Sequence, residues 1–395
     1  MHDLSCVVHL HSLHSDGTGT VEEIARAAEG IDVVLLTDHD TMAAEPGWYG
    51  DVLVLVGEEV SPKGRNHYLA FGLDKPIDHA GMDAADIVEA VRAAGGFGFA
   101  AHPFSKGSER FRQKPMAWTD LSCVDGIEVW SFVSDVAERI DSIPRALRFL
   151  ASPERFAIDP PEENLREWDR LNVERQVIGI GGVDAHQFGR RIFGRWVVRL
   201  IGYRRTFRQL RTHVLVHELP TRDLEHDREQ VYDALREGRC YIAVDHLAPP
   251  AGFAFWADGG TLRARLPRPA DLRIVHDGRE VARSSGADLD HAANEPGAYR
   301  VEARLGGRAI APRPRVLGLV ELVDRPEAEG LRALDGRHTT SLLGDHPKTL
   351  AHAWRHRTCA CRRPRIPAMR CIARDPASLA DRPPALASRT RGVFG

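Results

Sequence analysis

The chain has 395 residues, 43% of them hydrophobic, enough for one large barrel, a smaller unit and a sizeable core. Its formal charge of −3 conceals an asymmetry: residues 306–395 carry 17 Lys+Arg against 8 Asp+Glu, or +9, which leaves 36 against 48, or −12, for residues 1–305. An acidic body argues against a general nucleic-acid surface, whose affinity comes mostly from cation contacts to phosphates, and it suits a site that collects divalent metals.

The first apolar run ends in His9-Leu10-His11. Side chains two apart on a strand face the same way, so both imidazoles are expected to look at one spot. Asp16 follows in a Ser-Asp-Gly-Thr turn. Thr20 offers a hydroxyl N-cap with Glu23 three residues on, and a helix closing at Gly30 leads to a second apolar run, 33–37, that ends in Asp38-His39-Asp40. The run 52–56 ends in Gly57-Glu58-Glu59, of which Glu59 is taken to point inward, and Arg65-Asn66-His67 opens the strand 68–71. A helix over 83–94, closed by Gly95-Gly96, precedes a strand ending in His102-Pro103. After a polar insertion at 104–124 comes the strand 126–130 with Glu128. Two helical stretches follow, at about 133–150 and 162–174, and then a strand, 177–183, that ends in Asp184-Ala185-His186.

Apolar strands thus keep delivering His, Asp or Glu at or near their carboxyl ends, which is the functional face of a parallel β/α barrel. The pattern predicts an α/β chain in which residues 1–245 form a closed or nearly closed TIM-like barrel with one polynuclear site. A last strand at 197–203 and a helix at 223–237 complete it. Short alternating segments at 246–305, with Asp277-Gly278 as a hairpin turn, predict a small C-terminal β-sandwich-like module. From 306 onward nine prolines and many arginines predict a poorly ordered tail, disordered or displaced from its normal reading frame. The six cysteines are too scattered for a disulfide framework, and Cys359, Cys361 and Cys371, with His352 and His356 nearby, lack a standard zinc spacing. No apolar run approaches the roughly 18 residues of a membrane span, and no signal peptide is evident, so a cytoplasmic protein is expected.

Imidazoles mixed with carboxylates, with no cysteine among them, suit Zn, Mn or Fe better than a thiolate site or a Ca cage. A carboxylate such as Glu59 can bridge two metals where a histidine cannot. Two metals about 3.5–4 Å apart can share a hydroxide and hold both oxygens of an in-line displacement, the machinery of phosphoester hydrolysis.

These residues resemble the polymerase and histidinol phosphatase (PHP) metallohydrolases. The match runs through His9-Leu10-His11, Ser15-Asp16-Gly17, Thr37-Asp38-His39-Asp40, Gly57-Glu58-Glu59, His67, Ala101-His102-Pro103 and Asp184-Ala185-His186, in the family's order. The resemblance implies a distorted (β/α)7 barrel with two or three divalent metal ions. It implies that His9, His11, Glu59 and Asp184 hold the first, Glu59, His67 and His102 the second, and Asp16, His39 and His186 the third. Asp38, Asp40 and Glu128 are then catalytic-site carboxylates that orient ligands or substrate. Through Asn66-His67-Tyr68-Leu69-Ala70-Phe71 and the β-module, the chain looks most like the small bacterial phosphoesterases and the carbaryl-hydrolase (CehA/McbA-like) branch.

Lys63, Arg65, Arg190 and Arg191 flank the motifs and are candidates to grip an anionic substrate group, a task that suits the guanidinium fork; surface charge is the competing reading. His14 falls between matched positions and is expected to be exposed. The expected activity is hydrolysis of a small-molecule or nucleotide phosphoester by a metal-bound hydroxide, with no membrane and no stable nucleic-acid partner. Hydrolysis of a carbamate or carboxyl ester by the same ligands, and a non-catalytic scaffold, are the rival readings.

Overall fold

The opening apolar run forms β1 (His2–Val8), and Thr20 caps α1 (Val21–Ala27) as the spacing predicts: its hydroxyl accepts from Glu23 N, and the Glu23 carboxylate accepts from Thr20 N. There follow β2 (Val33–His39), the short β3 (Gly47–Tyr49), β4 (Val52–Val60) and β5 (Tyr68–Phe71). Helix α2 (Ala84–Ala93), with a second capping box at Asp83 and Asp86, leads to β6 (Phe97–Ala100) and β7 (Gly126–Ser131). The two helical stretches expected next are three helices, α3 (Phe132–Arg139), α4 (Ile143–Ala151) and α5 (Glu162–Glu174), because Pro144 in the first turn of α4 starts that helix afresh. After β8 (Ile178–Gly182) come β9 (Gly189–Ile192), β10 (Trp196–Arg199), α6 (Tyr203–Thr206), β11 (Arg211–Val216), α7 (Leu224–Arg236) and β12 (Cys240–Ala243). The chain then forms β13 (Ala254–Asp258), β14 (Thr261–His276), β15 (Arg279–Ala292), β16 (Tyr299–Arg304) and β17 (Arg315–Val320).

This computed structural model describes residues 1–62, 66–111, 113–116, 118–156, 159–187, 201–246, 249–258 and 260–305, with the backbone alone for 189–192, 196–199 and 315–320. All of these belong to one unit, Met1–Leu334, and no helix among the described residues is long and apolar enough to cross a membrane.

Nine strands, in the order β12-β11-β1-β2-β4-β5-β6-β7-β8, form a nearly closed barrel. β1, β2, β4, β6, β7 and β8 run parallel, while β5 and β11 run against them, so the sheet differs from a strict (β/α)7 repeat. The seam sits at β1. Strand β11 covers its edge only as far as Cys6. Beyond that, Val183 N donates to Val8 O (2.9 Å), Ala185 N to His9 O (3.3 Å) and His11 N to Ala185 O (2.9 Å). The end of β8 thereby takes the edge that β11 leaves free, and the barrel closes at the end where the polar motifs lie. Residues alternate between two apolar layers: Val7, Val34 and Val54 pack with α1, α2 and α5, whereas Val8, Leu35 and Leu55 pack with Phe99, Ile180 and Tyr232 of α7.

The strand expected at 197–203 is instead the hairpin β9–β10, outside the barrel sheet. Nor do β13 to β17 make a separate sandwich. They extend the barrel sheet, because β17 pairs with β16 on one side and β12 on the other, giving 15 strands in all. Folded sequence therefore passes the expected limit at 305, and β17 occupies part of the expected tail; the rest of 306–395 lies outside the described residues. Asp277 (φ 46°) and Gly278 (φ 77°) both take positive φ, as a two-residue type I′ hairpin requires.

Between the extension and the barrel, His213 of β11 donates from Nδ1 to Asp3 (2.8 Å) and from Nε2 to Asp245 (3.0 Å) while stacking on Tyr241. Burial disfavours its charge, but bonds to Asp245 and Asp3 outweigh that and raise its pKa to about 9. The stabilisation from the charged ring is complete below pH ~6.5 and is lost as pH rises through about 9. Chemical denaturation of wild type is expected to show a stability decline of roughly 3 kcal/mol across that window. His213→Asn should flatten this decline, and an unchanged slope would contradict the assignment.

Candidate metal centre

Four of the six parallel strands, β1, β2, β6 and β8, break where their polar residues emerge, whereas β4 and β7 carry Glu59 and Glu128 within the strand. His9, Asp40, His102 and Asp184 all take positive φ (65°, 51°, 28° and 50°), a conformation that costs a non-glycine residue roughly 1–3 kcal/mol and that concentrates here at one end of the barrel. His9 lies past the end of β1, so the convergence of His9 and His11 does not come from strand alternation, as expected. A left-handed residue turns the chain, and the two rings meet edge to face with centroids 5.4 Å apart. Gly17 and Gly182 make room for the turns. A Cβ on Gly17 would run into His11 O, and one on Gly182 into Glu128 Oε1.

Glu59, at the end of β4 and 1% exposed, sits at the centre. Its Oε2 lies 3.3 Å from His9 Nε2, 3.2 Å from His11 Nε2 and 3.3 Å from His39 Nδ1; its Oε1 lies 2.8 Å from His67 Nδ1 and 3.4 Å from His102 Nε2. One buried carboxylate thus touches five imidazoles. Asp184 Oδ1 stands 3.5 Å from the rings of His9, His11 and His186, and Asp16 Oδ1 lies 3.1, 3.7 and 3.8 Å from His186, His39 and His11. All nine residues expected to hold metal are therefore in one cluster. Glu58 points the other way, accepts from Ile77 N at 2.7 Å, and is pushed up to about 7 by burial. His14 is exposed.

The three carboxylates expected to orient ligands differ in what they touch. Glu128 Oε1 accepts from His9 Nδ1 at 2.9 Å and Oε2 from His102 N at 2.7 Å. Asp38 accepts instead from Ser12 N, Ser12 Oγ and Ser15 Oγ, at 2.6–2.7 Å, and so ties down the loop that carries His11 and Asp16. Asp40 accepts from Ser61 N (2.7 Å) and His79 Nε2 (3.0 Å). Two further residues had no sequence signal. Ser61 Oγ accepts from His39 Nδ1 at 2.7 Å, and Ser134 Oγ donates to Asp184 Oδ2 at 3.0 Å while accepting from Gln113 Nε2 at 3.1 Å. Lys63 and Arg65 lie outside the described residues, as do Cys359, Cys361 and Cys371. Arg190 and Arg191 are placed by backbone only, on β9 opposite Val198 and Val197.

Carboxylates and imidazoles in the cluster hold one another in their charged forms. Burial opposes ionisation of Glu59 and Asp184, yet His9 and the other rings hold both well below the usual carboxylate range. Burial likewise opposes charging His9 and His11, but Glu128 and Glu59 raise the first, and Asp184 and Glu59 raise the second to about 9. His11 is fully buried with neither ring nitrogen hydrogen-bonded, and His102 Nδ1 is similarly unmatched. Such groups are costly unless something takes their lone pairs. Four sets of donor atoms lie within 4.8 Å of one another: His11, Asp16, His39 and His186; His9, His11 and Glu59; His39, Glu59 and His67; and His9, His102 and Glu128. Nitrogen and carboxylate donors in this number fit Zn, Mn or Fe. The cluster forms one side of a cavity of about 660 Å³.

Among solved structures the chain is similar to a two-domain protein from Bacteroides vulgatus containing a predicted PHP-like metal-dependent phosphoesterase, at 18% identity over 81% of this chain and 95% of that one, with a TM-score of 0.40. It is also similar to a candidate metal-dependent phosphoesterase from Bifidobacterium adolescentis, at 18% identity over 46% and 87%, with a TM-score of 0.32. No family model and no curated protein matches the chain. Likeness of this degree carries no functional argument, which rests on the geometry alone.

Proposed function

We propose that the chain is a metal-dependent phosphoesterase acting on a small-molecule phosphoester at a di- or trinuclear centre of Mn, Zn or Fe. The observation that carries this reading is the Glu59 carboxylate within reach of five imidazoles. Divalent cations held there would neutralise phosphoryl oxygens and acidify water. The orientation of two rings supports that reading. Glu128 occupies His9 Nδ1, and Asp184 O accepts from His186 Nδ1 at 3.0 Å, leaving each Nε2 facing the cluster. Ser134 holds Asp184 Oδ2 and leaves Oδ1 toward the rings. In the reaction the oxygen of water bonds to phosphorus and the ester P–O bond breaks. One proton of that water leaves with the alcohol, and phosphate remains.

The test is a panel of a nitrophenyl phosphate, a dinucleotide and an aryl carbamate, offered to protein purified without chelator and reconstituted with Mn, Zn or Fe. Metal-dependent phosphoester turnover, abolished in a folded His11→Ala protein, is the expected result. Turnover of the carbamate alone, or undiminished activity in His11→Ala, would overturn the proposal. Ser134→Ala is expected to weaken metal binding by roughly 10- to 100-fold, as read by competition with a chromophoric chelator. Because metals displace protons from these imidazoles, loading should release protons and weaken toward acid pH. Calorimetry in buffers of different ionisation enthalpy measures that release.

A further inference from the structure

The cavity beside the cluster has a second wall, and its chemistry is the opposite of the first. Val133, Val136, Ile140, Phe149, Leu150 and Ile201 line it, together with half-buried Met116 and exposed Phe111 from the loop between β6 and β7. Among the described lining residues outside the cluster, Gln113 is the one neutral polar side chain and Lys114 the one cation. The amide nitrogen of Gln113 already donates one of its two N–H groups to Ser134. A sugar or nucleoside group placed here would bury hydroxyls and ring nitrogens with almost nothing to pair them, whereas an apolar group would lose only water. At about 660 Å³ the space is that of a site for a drug-sized molecule, larger than a phosphoryl group needs.

We infer that the ester's alcohol part is a bulky apolar group, of the size of a fused aromatic ring or branched alkyl chain, seated against this wall while its phosphoryl end meets the cluster. The inference rests on the phosphoesterase reading and deepens it. Three primary alkyl phosphates with leaving alkoxides of similar basicity provide the test: 2-(1-naphthyl)ethyl phosphate, glycerol phosphate and adenosine 5′-monophosphate. The naphthylethyl ester is expected to have kcat/KM at least about tenfold above the other two, the scale set by burying one ring system. Ala146→Trp, which fills the cavity from α4, and Met116→Gln, on its lining, should each cut that preference several-fold, chiefly through KM. Equal or reversed preference with turnover intact would overturn the inference and leave the phosphoesterase reading standing. No turnover of any ester would overturn both.

Discussion

Glu59→Gln is expected to lower phosphoester turnover by about a thousandfold or more, the scale of losing several kcal/mol of metal-borne charge stabilisation, with far-UV circular dichroism unchanged. The change is isosteric and removes the one negative charge that faces His9, His11, His39, His67 and His102 together. A neutral amide cannot bridge two cations. The five rings would then have to share cations without the carboxylate between them, so metal content should fall along with activity. Glu58→Gln is the matched control. Its carboxylate is buried beside Ile77 N, away from the cluster, and its removal should leave metal content as in wild type. Equal losses in the two proteins would contradict the placement of Glu59.

Arg300→Met is expected to destabilise the fold by about 3–5 kcal/mol, the range for stripping one partner from a buried ion pair. Arg300 of β16 is 4% exposed and grips Asp169 of α5 with two bonds, 2.9 and 2.8 Å, while also bonding Glu302. Glu302 keeps Arg273 at 2.7 Å in the variant, but Asp169 loses its cation in a setting where its side chain is 10% exposed. Urea unfolding should show a lower midpoint at constant slope. Adding Asp169→Asn should recover part of the loss, because the stranded charge is then gone. A cost below ~1 kcal/mol for the single variant would mean that the β16 extension and α5 are not coupled through this pair.

The site was legible where local patterning decides it. Along β4, Leu53 and Leu55 share one apolar layer and Val54 and Val56 the other, so parity alone sends Glu59, not Glu58, toward the cluster. His67 looked anomalous in sequence because it begins a strand. β5 runs antiparallel, which brings its start to the end where the parallel strands finish, and strand direction is a property of pairing that no local run of residues encodes. His9 was placed in the right location for an incorrect reason, since a left-handed turn is not visible in an apolar alternation. β11 and β12 were missed as short segments flanking α7, and β17 was hidden by the prolines before it. Ser61 and Ser134 were invisible because a serine on a loop or helix is ordinary until its hydroxyl is seen against His39 or Asp184.

Equilibrium dialysis of chelator-free protein against Mn²⁺ or Zn²⁺, followed by metal analysis, bears most directly on the centre itself. More than one divalent ion should be retained per chain, with a clear deficit in Glu59→Gln. A native protein that retains none, and gains no thermal stability from either ion, would contradict a metal centre at the end of this barrel.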